Sequence, residues 1–395
     1  MPTVSRRAFV GAAAASASLA RPASDQISLG IIGVGGRGTS HIRDLGRLKD
    51  LNIRVGGVCD VFAPARERAA AAIEKSFGAR PRLTSDYREM LTWKDIDAVI
   101  ISSPDYSHSV MLKHAVEAGK DAYCEKPMGT VFSEAKAAYE AVKKSRQVVQ
   151  IGTQRRSDGS YVAAAKLVQS GILGEITKID VAMNFQEPRW RRASDDVTPS
   201  TVDWDRFIMH RTPRPFEARL LREWQLFDYN TNGIAGLWMS HFSDVVHWFM
   251  QEMYPATAVS NGGVFLWKDG RETSDVFQTL LTYPKGFLFS FEMCLTNDAN
   301  THELWHGTRG TLDMGAMTIS GAGSKRKDRI AAPVKVAPET ISSHMHNFLE
   351  CVRGRTTPRA DIQAGFSHAV AGTMAHTALR TGRMVRFDRE RLELV

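Results

Sequence analysis

Residues 31–41 read IIGVGGRGTSH, and a second apolar run, VGGVCD, ends at Asp60, 22 residues beyond Gly38. A glycine-rich turn that follows a strand and opens a helix, with an acid at the end of the next strand, is the pattern of a dinucleotide-binding βαβ unit. Its glycines have separate tasks. Gly33 permits the tight turn, Gly35 lets the backbone approach a pyrophosphate, and Gly38 lets the helix pack close to the strand. Gly36 and Arg37 complete the turn, where unpaired N–H groups and the positive end of the helix dipole meet the phosphates. Asp60 is placed to accept hydrogen bonds from the adenosine ribose hydroxyls. No Arg or Lys directly follows it in DVFAPA to receive a 2′-phosphate, so the pattern predicts NAD over NADP.

Working outward, residues 27–154 alternate short β-branched runs (ISLGIIG, IRVGGVCD, IDAVIISS, DAYCEKP, VVQIGTQ) with amphipathic stretches at 63–76, 107–118 and 133–144. Such alternation predicts right-handed crossovers and a doubly wound parallel sheet, with ligands at the carboxyl ends of its strands. Ser103-Pro104, Glu125-Lys126-Pro127 and Gly152-Thr153-Gln154 fall at those ends. Further on, Ile179, Val181, Met183 and Phe185, then Phe287, Phe289, Phe291 and Met293, alternate strictly, the mark of an antiparallel sheet with one covered face. Met345, Phe348, Leu349 and Val352 sit at helical spacing, and another amphipathic stretch runs over 362–379. The expected fold is α/β: a Rossmann domain over 26–150, then an α+β domain over 151–395 with an open, mainly antiparallel sheet and C-terminal helices.

At 395 residues and 43% hydrophobic, the chain can build a core in each half, and no later apolar run is long enough for stable membrane insertion. The net charge of +8 is scattered; RWRR (189–192) and KRK (325–327) lack the aromatic interleaving of a nucleic-acid surface. Both read as solvated loops, with RWRR also able to meet an anionic substrate. Residues 1–20 contain SRRAFV, then a small apolar stretch and SLA, which predicts a twin-arginine signal and a periplasmic or otherwise exported protein. Cys59, Cys124, Cys294 and Cys351 are widely spaced without a CxxC pair, so free core thiols are expected. HELWH at 302–306 matches HExxH, but that pattern needs a helix to bring both histidines to a metal. Its Thr, Gly and Asn neighbours predict strand and turn, so no metal site is expected.

GVGGRG, SSPDYSH, CEKPMG, IGTQRRSDGSY, VDWDRF, FDYNTNGIAGLWMSHFSDVVHWF and NFLECVRGRTTPRADIQAG occur in order, and in them the chain resembles the Gfo/Idh/MocA oxidoreductases over nearly its whole mature length. The resemblance implies a nicotinamide cofactor, a sugar, cyclitol or derivative as substrate, and oligomerisation through the C-terminal sheet. It implies that Lys126 of EKP reaches the nicotinamide and the reacting hydroxyl, with Ser103, Pro104, His108, Glu125 and Gln154 at the cofactor's edge. Independently, a partly desolvated ammonium beside a cationic ring has a lowered pKa and can shuttle a proton. His241 is the second catalytic candidate. The family commonly places an Asp four residues before this His; here Leu237 stands there. Tyr229, Asn230 or Asn232 are candidates to support His241 instead, Gln154, Tyr161 and Trp190 to line the sugar site, and Asp244 reads as a structural helix residue. The leading expectation is an NAD-dependent oxidoreductase with a tightly bound cofactor. The alternative is a redox-neutral NAD-dependent glycoside hydrolase or lyase working through a transient keto-sugar, which the missing acid and the lack of soluble periplasmic NAD keep open.

Overall fold

The computed structural model describes residues 26–395, so the proposed signal at 1–20 lies outside the described residues. Six parallel strands form the first sheet in the order β3-β2-β1-β4-β5-β6: β1 (Ile27–Ile32), β2 (Ile53–Cys59), β3 (Arg82–Thr84), β4 (Ala98–Ile101), β5 (Asp121–Cys124) and β6 (Val149–Ile151). β1 and β4 are buried on both faces, as the continuous apolar runs require. The order reverses beside β1, and open α/β sheets bind ligands at such a switch point, outside the carboxyl ends of the strands. The short β3 lay below the sequence signal.

The second sheet is built from β7 (Ile176–Ala182), β9 (Thr257–Gly263), β10 (Val276–Tyr283), β11 (Phe287–Cys294), β13 (His302–Gly307), β14 (Gly310–Asp313), β15 (Thr318–Ser320), β16 (Val334–Lys335), β17 (Val385–Asp388) and β18 (Glu393–Leu394). A separate ribbon pairs β8 (Phe185–Gln186) with β12 (Thr296–Asn297). The ten strands run β16-β15-β14-β13-β7-β11-β10-β9-β17-β18 and are antiparallel except at β7 and β11. Phe287, Phe289, Phe291 and Met293 are all buried, while Leu288, Ser290 and Glu292 face the other way, as a half-covered sheet demands. The covered face packs on the helices Ser240–Met250 and Ile362–Thr381.

Packing and chain order part company at the helix His344–Gly354. Its Met345, Phe348, Leu349 and Val352 join the core around β1 and β2 and so clasp the nucleotide-binding layer from the far end of the chain. At the junction Arg156 forks onto Asp244 through Nε and Nη2 at 2.9–3.0 Å, with Asp244 fully buried. That bidentate pair accounts for Asp244 as a structural residue. Cys59, Cys124 and Cys351 are buried free thiols. HELWH is strand β13: Glu303 and Trp305 point into the core, and His302 and His306 lie apart on the opposite face, a spacing unfit for HExxH zinc binding.

Candidate active site

The glycines of the turn behave as their tasks require. Gly33 has φ of 82°, and a Cβ there would lie 2.5 Å from the Ser103 nitrogen. At Gly38 a Cβ would sit 2.1 Å from the Gly33 carbonyl oxygen, so the helix Gly36–Arg47 approaches β1 only because the residue is glycine. At Gly35 and Gly36 a Cβ would meet nothing within 4 Å. Those two glycines are therefore not demanded by the protein's own packing; they leave room on a cavity of about 330 Å3 lined also by Gly33, Arg37, Asp60, Ser103 and Pro104. The helix has no acid in its first turn to compete with a phosphate. Asp60 accepts from the amides of Val34 (2.8 Å) and Phe62 (2.9 Å), which orients its carboxylate at the groove. Burial pushes its pKa up, against those two amides. Arg68, Arg192 and Arg222 line the same groove, a fact that the residues next to Asp60 did not disclose. A smaller recess behind Asp60, walled by Ile32, Cys59, Val61, Tyr87 and Met111, has the apolar character an adenine ring needs.

A second cavity of about 340 Å3 continues from the first, sharing Arg37, Ser102, Ser103, Trp224 and Gln225 with it. Lys126 stands on its floor, just before a cis bond to Pro127, and its Nζ donates to the Leu237 carbonyl at 2.7 Å. Burial lowers the Lys126 pKa, while Asp105 and Glu125 oppose the fall. His241 opens the helix Ser240–Met250 directly after a π-helical turn, Ala235–Met239, the kind of irregularity often found at functional sites. Its imidazole has no hydrogen-bond partner among the described residues, and burial, with the charges of Lys126 and Arg155, holds its pKa well below the usual range. His241 is therefore a neutral imidazole with an acceptor nitrogen free for a hydroxyl.

Glu125 is 4% exposed and takes Arg37 Nε (2.6 Å), His41 Nε2 (2.9 Å) and Gln154 Nε2 (3.0 Å). Burial opposes ionisation, but the His41 bond and the Arg37 charge win, and the carboxyl is held well below its ordinary value. His108 lies beneath the floor, its ring nitrogens 2.7 and 2.8 Å from the Pro127 and Ser103 carbonyls, and ties the two strand ends together.

Sequence reasoning missed Asp105. It lines the cavity, is 2% exposed, and accepts one hydrogen bond, from Thr231 at 2.7 Å. Burial pushes its pKa up to about 6, against the pull of His108 and Lys126. Leu237 stands in the position commonly held by an acid, and Asp105 is a buried carboxylate on another segment of the same cavity wall. Trp224, Gln225 and Trp238 also line the cavity unannounced, beside the expected Trp190 and Gln154 and beside Arg189 of RWRR. Four other expectations need correction. Tyr161 does not line the cavity; its hydroxyl donates to buried Glu303 at 2.8 Å. Tyr229 is turned away to the Thr212 carbonyl (2.7 Å), and Asn232 donates to the Thr130 carbonyl (3.0 Å). Asn230 is likewise occupied, donating to Leu220, so none of the three supports His241.

Comparison with known proteins fits this geometry. Residues 27–153 match the family model for the oxidoreductase family's NAD-binding Rossmann fold, and 165–387 match its C-terminal alpha/beta domain. The chain belongs to the Gfo/Idh/MocA oxidoreductase family. Its first domain is thus an NAD-binding Rossmann domain. An inositol 2-dehydrogenase of Salmonella typhimurium is 32% identical over 150 residues, 38% of this chain and 43% of that protein. A glycosyl hydrolase family 109 protein of a Shewanella species is 29% identical over 190 residues, 47% of this chain and 40% of that one. The matched stretches thus span less than half of either curated relative. A levoglucosan dehydrogenase solved with NADH and levoglucosan shares the fold, with TM-score 0.68 at 19% identity over 92% of this chain and 99% of that one.

Proposed function

We propose that this family member oxidises a carbinol of a sugar, cyclitol or related polyol, or reduces the corresponding ketone, with an NAD that stays tightly bound. The observation that carries the proposal is Lys126, whose lowered-pKa ammonium stands beside neutral His241 where the groove beside the glycine turn opens into the second cavity. Bound NAD supplies the hydride acceptor. Lys126 orients the reacting hydroxyl and His241 accepts its proton, while Asp105 balances the Lys126 charge. Arg37, Gly33, Gly35, Gly36, Gly38, Asp60, Ser103 and Pro104 hold the cofactor. Inositol and levoglucosan, named in the relatives, support a polyol or sugar as substrate.

A redox-neutral glycosidase or lyase is the second reading, favoured by Leu237 in place of an acid and by the likeness to a glycosyl hydrolase family 109 protein. Export through the twin-arginine pathway, inferred from residues 5–10, gives both readings a reason to retain cofactor. Self-association is proposed through the open sheet face, where the register partners Val259 and Leu280 are 39% and 41% exposed. The test is to denature the purified protein and assay released NAD and NADH, with a sugar and glycoside panel on the intact protein. Near-stoichiometric release with sugar-dependent change at the nicotinamide supports the proposal; glycoside cleavage without net reduction selects the second reading. An empty protein that reduces added NAD overturns tight retention.

A further inference from the structure

The cavity beyond Lys126 carries several donors without a partner, and its free acceptors are few: the rest of the Asp105 carboxylate, the His241 ring and the buried Gln225 Oε1. Of its two carboxylates, Glu125 is saturated by Arg37, His41 and Gln154, and Asp105 takes one hydroxyl, from Thr231. The indole N–H groups of Trp190, Trp224 and Trp238 have no acceptor among the described residues. Arg189 has only its Nε in use, 3.0 Å from Glu187 Oε1; Nη1 is screened from water and unpartnered, and Nη2 has no acceptor either. The guanidinium is laid across Phe185 and Trp238, at 4.2 and 4.9 Å from their ring centres, so its fork is held in one orientation.

The loop carrying Arg189 is built rather than loose. Trp190 has φ of 69°, a strained conformation for a bulky residue that persists only where the surroundings enforce it. Here buried Arg271, itself forked onto Asp269, reaches the Arg189 carbonyl, and Glu223 accepts from the Arg192 amide at 2.9 Å. Flat aromatic walls suit pyranose faces, and a fixed, underused guanidinium suits a planar carboxylate.

Resting on the proposed sugar chemistry, we propose that Arg189 with Trp190, Trp224 and Trp238 forms a subsite for an anionic saccharide, one carrying a carboxylate as in a uronic acid unit. The tryptophans hold the ring and Arg189 takes the carboxylate. Neutral polyols leave Arg189 without its acceptor and bind less tightly.

The test is isothermal titration of the NAD-loaded full chain with matched methyl glycosides, glucuronide against glucoside and galacturonide against galactoside. In at least one pair the uronide binds about tenfold or more tighter, and the preference shrinks as salt rises. In Arg189→Met, which keeps an unbranched chain over Trp238, the uronide-to-neutral ratio falls toward one; Arg189→Lys, which keeps the charge, retains part of it, and thermal melts confirm that both variants fold. A ratio near one in both pairs, no uronide binding, or a ratio unchanged in Arg189→Met overturns the subsite. Neutral sugars that change the bound nicotinamide while no uronide preference exists overturn the subsite alone. An Arg189-dependent uronide preference without cofactor redox change or glycoside cleavage overturns the activity alone.

Discussion

Glu125 and Asp105 follow neighbouring parallel strands, both nearly dry, and reach opposite states. Glu125 follows β5 and collects an arginine, a histidine and an amide, so its charge is fixed. Asp105 follows β4 and collects one hydroxyl, with Lys126 as its nearby cation, so burial lifts its pKa to about 6. The number of donors facing a carboxylate, and not its burial, decides whether it is a structural anion or a titrating group. In the proposed reading the contrast divides the cleft: the glycine turn and Glu125 would form the cofactor cradle, and Asp105, Lys126 and His241 the proton-handling face.

The largest effect expected is at Lys126. Lys126→Ala should lower turnover by roughly a thousandfold or more, since it removes both the positioned cation and the proton path; retained turnover in a steady-state assay removes Lys126 from the chemistry. Glu125→Gln strips the charge from a satisfied buried network and should cost about 3 kcal/mol in denaturant unfolding. A neutral result there would erase the contrast between the two acids.

Asp105→Asn should lower turnover about 10- to 100-fold and abolish an acid limb near pH 6 in the kcat profile. Its stability effect has the opposite sign. Because the folded-state pKa is raised, the native protein binds the Asp105 proton more tightly than the unfolded chain, so this group's contribution falls as pH rises from about 4 through about 6. Above that window the variant gains up to about 3 kcal/mol over the parent, less what the lost Lys126 pairing costs, and chemical melts across pH read the difference. Smallest are the glycines: Gly38→Ala, which strikes the Gly33 carbonyl, should cost about 1–3 kcal/mol of stability. Gly35→Ala, facing open space, should leave melting unchanged and weaken NAD retention about tenfold, a 1.4 kcal/mol effect.

The parallel sheet was legible because each βα unit is a local pattern: ISLGIIG and IDAVIISS are buried on both faces, and the amphipathic stretch at 63–76 became the helix Ala63–Phe77. β3, three residues long with an exposed Arg82, had too little apolar signal to be seen. Tyr161 and Asn232 looked suited to a polyol by chemistry alone, but Glu303 and Thr130, each over 100 residues away in sequence, claim their polar groups.

The sequence by itself determined the alternating βα units of the first domain, the tight turn at Gly33 and the close packing at Gly38, the position of Lys126 at a strand's carboxyl end and the strand at 302–306. Each follows from geometry within a few residues, where φ, side-chain period and helix start are set by neighbours in the chain. Only the tertiary structure decided that Asp105 lines the cavity, that Trp224 and Trp238 wall it beside Arg189, and that one buried carboxylate is saturated with donors while the next collects one hydroxyl. Those outcomes depend on how many donors and how much water reach an atom, and segments far apart in sequence supply both.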